Sequence, residues 1–425
     1  MFFWKKKEKL IPIDDMPSLP KSETFCIMPW VHFHVTQYGT VTPCCQAPWQ
    51  EEYSFGNINK QSIKEIWNGD KIKVFRKNIL DGKIDKRCVS CFKREKDGFT
   101  SLRKITNNKY KHKYNLELSN YSIGETANTL PVYFDIRFSN TCNLKCRICG
   151  PWSSSSWFND VVKLGMISEN ANVLTYSFEY TNLFFEQFKE MIPNLEELYF
   201  AGGEPLVMDE HYQILNLLIE NKKTDVRLTY NTNFSIFNYK SYNLFDLWKN
   251  FKNISLAASL DASGKRGEFL RKNLNWNTVI ENREYLQAEL PHVEFIVSST
   301  INIYHLLHLP DFHKEWVDQN LIRVEDFIPT LLVQPNELSI SILPNTFKLK
   351  AYKKYSTHYE WISKQPFLNA EKHTYMLSQF QNILKVLNVN TAINSLDLFR
   401  RNSAAMDEIR KEKTTDVFPE LTELF

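Results

Sequence analysis

Glycine is scarce in this chain, 12 in 425 residues. That is roughly 3 % where about 7 % is usual, so a Gly-Gly pair here calls for an explanation. No apolar run reaches the roughly 18 residues of a transmembrane helix. The opening MFFWKKKEKLIPIDD has too short an apolar stretch before its lysines to be a signal peptide. A cytoplasmic protein with no membrane partner is therefore expected. An excess of one charge is also lacking. The 52 basic and 49 acidic residues leave a net charge of +3, which gives no reason to expect a nucleic-acid partner. With 43 % hydrophobic and 24 % charged residues the chain is not intrinsically disordered. No internal repeat is visible, and no cysteine follows Cys149.

What is present is concentrated. Eight cysteines stand at 26, 44, 45, 88, 91, 142, 146 and 149. In a reducing compartment they stay thiols, and such clustering points to ligation of a metal or cluster. Residues 1–23 read as a polar leader, 24–103 as a compact cysteine block and 104–130 as a linker rich in Lys, Asn and Tyr. In the block, two short strands flank Tyr38-Gly39, and Ser62 with Glu65 forms a capping-box pattern at the start of a helix. A second helix spans about 70–80, ahead of Cys88-x-x-Cys91.

From 131 to 344 short β-rich runs recur: Val132–Phe138, Leu195–Phe200, Val226–Tyr230, Ile254–Leu260, Val293–Thr300 and about Leu338–Leu343. Amphipathic helices separate most of them, which predicts an α/β fold with a parallel sheet or partial barrel. Residues 345–425 read as a mainly helical tail that caps the barrel mouth or mediates dimerisation.

The strongest signal is Cys142-Asn-Leu-Lys-Cys146-Arg-Ile-Cys149, placed just after the first barrel strand. Three thiolates on one short loop can hold three corners of a [4Fe–4S] cube and leave the fourth iron open. A zinc site short of one ligand is the competing reading, although zinc loops favour two close cysteine pairs. After the second strand comes Gly202-Gly203-Glu204-Pro205. Two glycines let backbone carbonyls approach a ligand closely, and Glu204 can face an ammonium group. Short polar groups end the later strands: Thr232 and Asn233, Ser259 and Asp261, Ser299 and Asn302. They suit a ribose or a carboxylate, and each is equally a turn or cap residue. Asp135 and Arg137 share one face of the first strand. Arg137 reads as a lumen charge beside the substrate, or as the partner of Asp135. Arg266 and Arg271, after the fourth strand, read as an anion site or a solvated helix face.

The cysteine loop followed by Gly-Gly-Glu-Pro resembles the radical S-adenosylmethionine (SAM) superfamily. The resemblance implies a partial (β/α)6 TIM-type barrel whose [4Fe–4S] cluster, on Cys142, Cys146 and Cys149, chelates SAM through its open iron. It also implies that Gly202, Gly203, Glu204 and Pro205 contact the SAM amino group. Thr232, Asn233, Ser259, Asp261, Ser299 and Asn302 would complete the cofactor site, with Asp135 and Arg137 as catalytic candidates. Two departures are Ile148, where an aromatic is frequent, and Ala262, where glycine is usual.

The N-terminal block, Cys26-x12-Gly39-x4-Cys44 with Cys88-x2-Cys91, is similar to the SPASM/twitch domains that hold auxiliary clusters. Its four thiolates suffice for one auxiliary [4Fe–4S] cluster, with Cys45 exchangeable for Cys44; a four-cysteine zinc site is the alternative. The implied function is a radical SAM oxidoreductase acting on a peptide or protein side chain or a small molecule, with SAM and an external electron donor as partners. The rival from another class is a non-catalytic, cysteine-ligated metal-binding interaction protein.

Overall fold

A computed structural model describes residues 23–114, 130–332, 334–389 and 396–425. The polar leader and most of the expected linker lie outside the described residues. The chain separates into two compact units. One takes in residues up to Phe134 together with Asn182–Asn194; the other comprises Asp135–Thr181 and Leu195–Phe425.

In the N-terminal unit, an antiparallel ribbon of His32–Val35 and Thr40–Thr42 turns at Gly39, whose φ is +74°. Glycine adopts that left-handed conformation without strain. The Ser62 hydroxyl accepts from the Glu65 amide while the Glu65 carboxylate accepts from the Ser62 amide, which opens the helix Ile63–Trp67. The helix Asp70–Leu80 follows. It buries Ile72, Phe75, Arg76 and Ile79, the spacing of one helical face. Arg76 is fully buried because its guanidinium donates to the carbonyls of Pro29 (2.8 Å) and Trp67 (3.0 Å).

The chain from residue 104 does not begin as a linker. Ser101 caps a helix over Leu102–Lys109. Its Asn107 holds the backbone on both sides of Cys26: the side chain accepts from the Ile27 amide (2.8 Å) and donates to the Phe25 carbonyl (3.0 Å).

The second unit is built on six strands: β1 Tyr133–Ile136, β2 Glu197–Phe200, β3 Arg227–Thr232, β4 Asn253–Ser259, β5 Glu294–Ile301 and β6 Phe327–Leu331. They stand in sequential order. From β2 to β6 the neighbours are parallel, with Glu197 opposite Arg227, Asn253 opposite Arg227, Ser255 opposite Glu294 and Val297 opposite Phe327. Helices Asp209–Glu220, Leu244–Trp248, Gly264–Leu270, Trp276–Glu289 and Leu309–Asp318 connect them. This is a partial (β/α)6 barrel of the TIM type, and its chemistry belongs at the C-terminal strand ends.

One strand differs from expectation. The sixth strand is Phe327–Leu331, while 338–343 forms two 3-10 turns, Asn336–Leu338 and Ile340–Ile342. The alternating Ser-Ile-Ser-Ile mimics a strand, but the Ser339 hydroxyl accepts from the Ser341 amide (3.3 Å) and closes a local turn instead. The true strand contains Pro329 and was masked by it. β6 ends the sheet order, a place where proline is tolerated.

The tail is helical over Asn345–Ser363, Ala370–Leu387, Asp397–Arg410 and Thr414–Val417. No helix among the described residues is long and apolar enough to cross a membrane.

Candidate active site

The cysteine loop follows β1 and is fastened on three sides. Its start meets the turn after β2. The Gly203 amide donates to the Ser139 carbonyl (3.2 Å) and the Glu204 amide to the Thr141 carbonyl (2.8 Å). A Cβ on Gly203 would lie 2.1 Å from the Thr141 oxygen, so only glycine fits. Gly202 has a φ of +130°. Gly203 thus permits a close approach of the turn to the cysteine loop.

Glu204 is 1 % exposed. Its carboxylate accepts from the Thr232 hydroxyl (2.7 Å), the Asn233 amide (2.6 Å) and the Leu206 amide (3.1 Å). The turn after β2 is thereby bound to the end of β3. Burial nevertheless outweighs these donors and pushes Glu204 up to about 7. These internal donors hold the Glu204 carboxylate at the head of the cysteine loop. Asn233 continues the network: its amide donates to Asn143 Oδ1 (2.8 Å), inside the cysteine loop.

The second side is a short antiparallel ribbon that pairs Lys145–Cys146 with Arg271–Lys272. Arg271 is 6 % exposed. It pairs with Asp261 (2.8 Å), and its Nη1 donates to Cys146 Sγ (3.7 Å). Asp261 also accepts from the Thr300 amide (3.0 Å) and the Ser299 hydroxyl (3.4 Å). His305 Nε2 lies 3.4 Å from the same hydroxyl. The ends of β4 and β5 therefore converge on a cysteine of the loop. Arg271 belongs to this buried network and not to a solvated face, whereas Arg266 is bound to Glu420 through two contacts (2.8 and 3.1 Å).

The third side is the serine-rich stretch after Cys149. The Ser156 hydroxyl donates to the Cys142 carbonyl (2.6 Å), the Ser154 hydroxyl to that of Leu144, and the Trp157 indole to that of Cys146 (3.1 Å). Trp157 is buried, while Trp152 and Trp49 are more than half exposed.

The three thiols differ electrostatically. A hydrogen bond with the Cys149 thiol, assisted by the Arg271 charge, brings Cys146 down to about 7. Burial pushes Cys142 up to about 12, and Cys149 is raised by its bond to Cys146.

Not every expected site residue joins the network. Asn302 is a turn residue, donating to the Thr300 carbonyl (3.2 Å) and accepting from the Tyr304 amide (3.0 Å). Ser259 ends β4 opposite Ser298. Asp135 and Arg137 form a two-point ion pair (2.8 and 3.1 Å), with the guanidinium over the Tyr199 ring. Of the two readings the sequence offered for Arg137, the structure shows the pair with Asp135.

In the N-terminal unit, Cys26, Cys44, Cys88 and Cys91 line one cavity with Met28, Pro43, Phe75, Arg87 and Arg103. Cys45 is exposed and not part of that lining. Burial raises Cys26 and Cys44, and lifts Cys88 to about 12. Arg103 anchors the cysteine segment by donating to the carbonyls of Glu23 (2.8 Å) and Phe25 (2.9 Å) while paired to Glu95. Arg87 is paired to Asp85 (2.7 Å) and lies over Phe75. Neither arginine was singled out from sequence, because nothing local links residue 103 to residue 25. None of the eight cysteines is in a disulfide.

Both thiol sets suit iron–sulfur clusters. Cys91 and Cys146 are buried and the other five half-buried, none has a disulfide partner, and each set lies beside arginine charge that favours an anionic group. Around the cysteine loop, Arg271 Nε, Arg147 Nε and Nη1, and Arg410 Nη1 and Nη2 are buried N–H groups with no acceptor, a donor surplus that fits an acceptor-rich cofactor.

Residues 136–315 match the family model of the Radical SAM superfamily, and residues 26–92 match that of the SPASM iron–sulfur cluster-binding domain. The chain is a member of the radical SAM superfamily. Within it, this is a protein with a SPASM-type domain preceding the barrel in sequence. SAM and a [4Fe–4S] cluster go with the first domain, and auxiliary iron–sulfur ligation with the second. This domain content supports a radical SAM enzyme over a non-catalytic metal-binding protein.

Over 81 residues it is 33 % identical to the S-adenosyl-L-methionine-dependent 2-deoxy-scyllo-inosamine dehydrogenase of Niallia circulans, covering 19 % of this chain and 32 % of that enzyme. The match spans about a third of that curated relative's length. Among solved structures, anSMEcpe with bound AdoMet is 16 % identical at a TM-score of 0.38, covering 54 % of this chain and 60 % of that one. Streptococcus suis SuiB bound to S-adenosylmethionine is 12 % identical at a TM-score of 0.33, covering 81 % of this chain and 71 % of that one.

Proposed function

We propose that this enzyme carries out a net oxidation of its substrate, acting as a radical SAM oxidoreductase. The observation that carries the reading is the pairing of two unlike thiol sites. Three thiols share one loop, which leaves a position open, and four line a separate cavity, which suffices to close a site. When bound, the loop cluster supplies the electron that cleaves SAM to methionine and a hydrogen-abstracting 5′-deoxyadenosyl radical, and the auxiliary cluster takes up the electron that the substrate radical gives up.

The chain's own residues do the rest. Cys142, Cys146 and Cys149 hold the loop cofactor, while Cys26, Cys44, Cys88 and Cys91 hold the auxiliary one, with Cys44 preferred to Cys45 for its place in the cavity lining. Gly202, Gly203, Glu204 and Pro205 form the turn that receives the SAM amino group. Glu204, tied to Thr232 and Asn233, keeps that turn in place. Asp261 and Ser299 orient Arg271, whose unpartnered Nε is available to the SAM carboxylate. Ser259 at the end of β4 and Asn302 in the turn after β5 complete the cofactor site, and Asp135 with Arg137 forms a polar pair at the end of β1 that orients substrate.

The local identity with a dehydrogenase supports dehydrogenation as the form of oxidation and a small molecule as substrate; a peptide or protein side chain is the other substrate class. An external one-electron donor serves the loop cluster.

The test is a pair of variants. Cys146→Ala abolishes SAM cleavage. Cys88→Ala retains it and loses the one-electron oxidation that follows, read as product from an aminocyclitol or peptide probe. If Cys88→Ala lost SAM cleavage while remaining folded, the division of labour between the two sites would be wrong.

A further inference from the structure

The C-terminal segment reaches back across the chain to the cysteine loop. Arg147 stands between Cys146 and Cys149, and its side chain is 1 % exposed. It is held by two carboxylates from the tail, Asp407 (2.7 Å) and Glu412 (3.0 Å). Its guanidinium lies 3.8 Å over the Phe269 ring, and its backbone amide donates to the Leu270 carbonyl (2.7 Å). Asp407 is itself fixed, accepting from the Thr414 amide (2.6 Å) and hydroxyl (3.1 Å). Glu412 also pairs with Lys272, the neighbour of Arg271 in the ribbon.

A second tie runs through Asp160. This buried carboxylate takes Lys145 from the cysteine loop (2.8 Å) and Arg410 from the tail (2.9 Å). Arg410 lies over the Trp157 ring, whose indole supports the Cys146 carbonyl. Both residues that flank Cys146, Lys145 and Arg147, are therefore held by charges fixed in part by one helix more than 240 residues later, Asp397–Arg410, and the turn after it.

We propose that the C-terminal strap, Asp397–Leu424, is a working part of the cysteine-loop site: through Asp407, Glu412 and Arg410 it fixes the Lys145–Cys149 backbone in the conformation that takes up the cluster. Arg147 is the positioning residue of this arrangement. A buried guanidinium with two fixed carboxylates has one orientation, and the backbone that carries it is fixed with it. The proposal rests on the radical SAM reading of the loop and adds to it a requirement that the loop motif alone does not contain.

The strap also supplies its own control. Arg266 and Glu420 join it to the helix Gly264–Leu270 by a two-point pair that touches no loop residue. The experiment compares Asp407→Asn/Glu412→Gln with Arg266→Gln/Glu420→Gln in full-length, anaerobically reconstituted protein. The readouts are the EPR signal that responds to added SAM, the auxiliary-cluster signal and the thermal midpoint. The first pair is expected to lose the SAM-responsive signal and keep the auxiliary one; the second is expected to keep both. Should the first pair fail to fold, Arg147→Lys replaces it, since it retains the charge but not the planar guanidinium that stacks on Phe269 while its Nη2 meets both carboxylates; it is expected to weaken the SAM-responsive signal at an unchanged auxiliary one. If both pairs keep the signal, if both lose it in step with a lowered midpoint, or if Arg147→Lys leaves it unchanged, the strap is only packing and the proposal is wrong. A wild-type protein with no SAM-responsive signal overturns the radical SAM reading, and the strap's role with it.

Discussion

The α-carbon of Gly203 approaches the Thr141 carbonyl so closely that a Cβ would stand 2.1 Å from its oxygen. The turn after β2 is thereby pressed onto the peptide that leads into Cys142. Gly203→Ala must push one of the two away, and the hydrogen bond from the Glu204 amide to the Thr141 carbonyl goes with it. A destabilisation of about 1–3 kcal/mol is expected from such overpacking, together with reduced iron uptake at the loop. Chemical denaturation and iron analysis read the two effects. A variant with wild-type stability and full iron would show that the contact is dispensable.

Asp261 and Arg271 are buried together, at 1 % and 8 % side-chain exposure. Removing the carboxylate charge leaves a buried cation whose Nε already lacks a partner. Asp261→Asn is expected to cost about 3–5 kcal/mol, the usual result of breaking a buried pair from one side. The double variant Asp261→Asn/Arg271→Gln removes the stranded charge and should recover part of that loss, as measured by a double-mutant cycle.

Glu204 makes stability depend on pH. Its carboxyl titrates at about 7 in the folded protein against an ordinary 4.5. Between those values the native state holds a proton that the unfolded chain has released. The contribution of Glu204 is therefore fully present below about pH 4.5 and is lost as pH rises through about 7, on the order of 3 kcal/mol in all. The difference in unfolding free energy between wild type and Glu204→Gln, followed from pH 5 to pH 8, should shift against the wild type. A constant difference would place the carboxyl in its ordinary range.

Arg103 holds the segment that carries Cys26 through the carbonyls of Glu23 and Phe25. Arg103→Met removes this donor from the Glu23 carbonyl and leaves Phe25 only Asn107 and Glu95 only Ser101, beside the cavity that four of the five N-terminal thiols line. Loss of the auxiliary cluster is expected, with the SAM-responsive signal of the loop cluster retained. Iron content and EPR of the reconstituted variant test this; retention of both clusters would remove Arg103 from the account.

Much of this was legible in the residues. The cysteine spacing, the Gly-Gly-Glu-Pro turn and the capping box at Ser62 are local patterns, and five of the six barrel strands coincide closely with the apolar runs that predicted them. What stayed hidden has physical reasons. Pro329 disguises β6, because proline is excluded from the inside of a sheet but not from its end. The alternating Ser339–Ile342 stretch imitates a strand until its hydroxyls are seen to close turns. The glycine pair was legible as a close approach but not as an approach to Thr141. The ties of Arg147 to Asp407 and Glu412 join residues some 260 apart, and no periodicity carries information over that distance.

The central claim is that the three-thiol loop supports reductive cleavage of SAM. The most direct measurement is 5′-deoxyadenosine formed by anaerobically reconstituted wild-type protein given SAM and a strong reductant, with Cys146→Ala alongside. The expected result is deoxyadenosine from the wild type and none above background from the variant. Equal amounts from both, or none from a wild type whose iron and sulfide contents show both clusters in place, would contradict it.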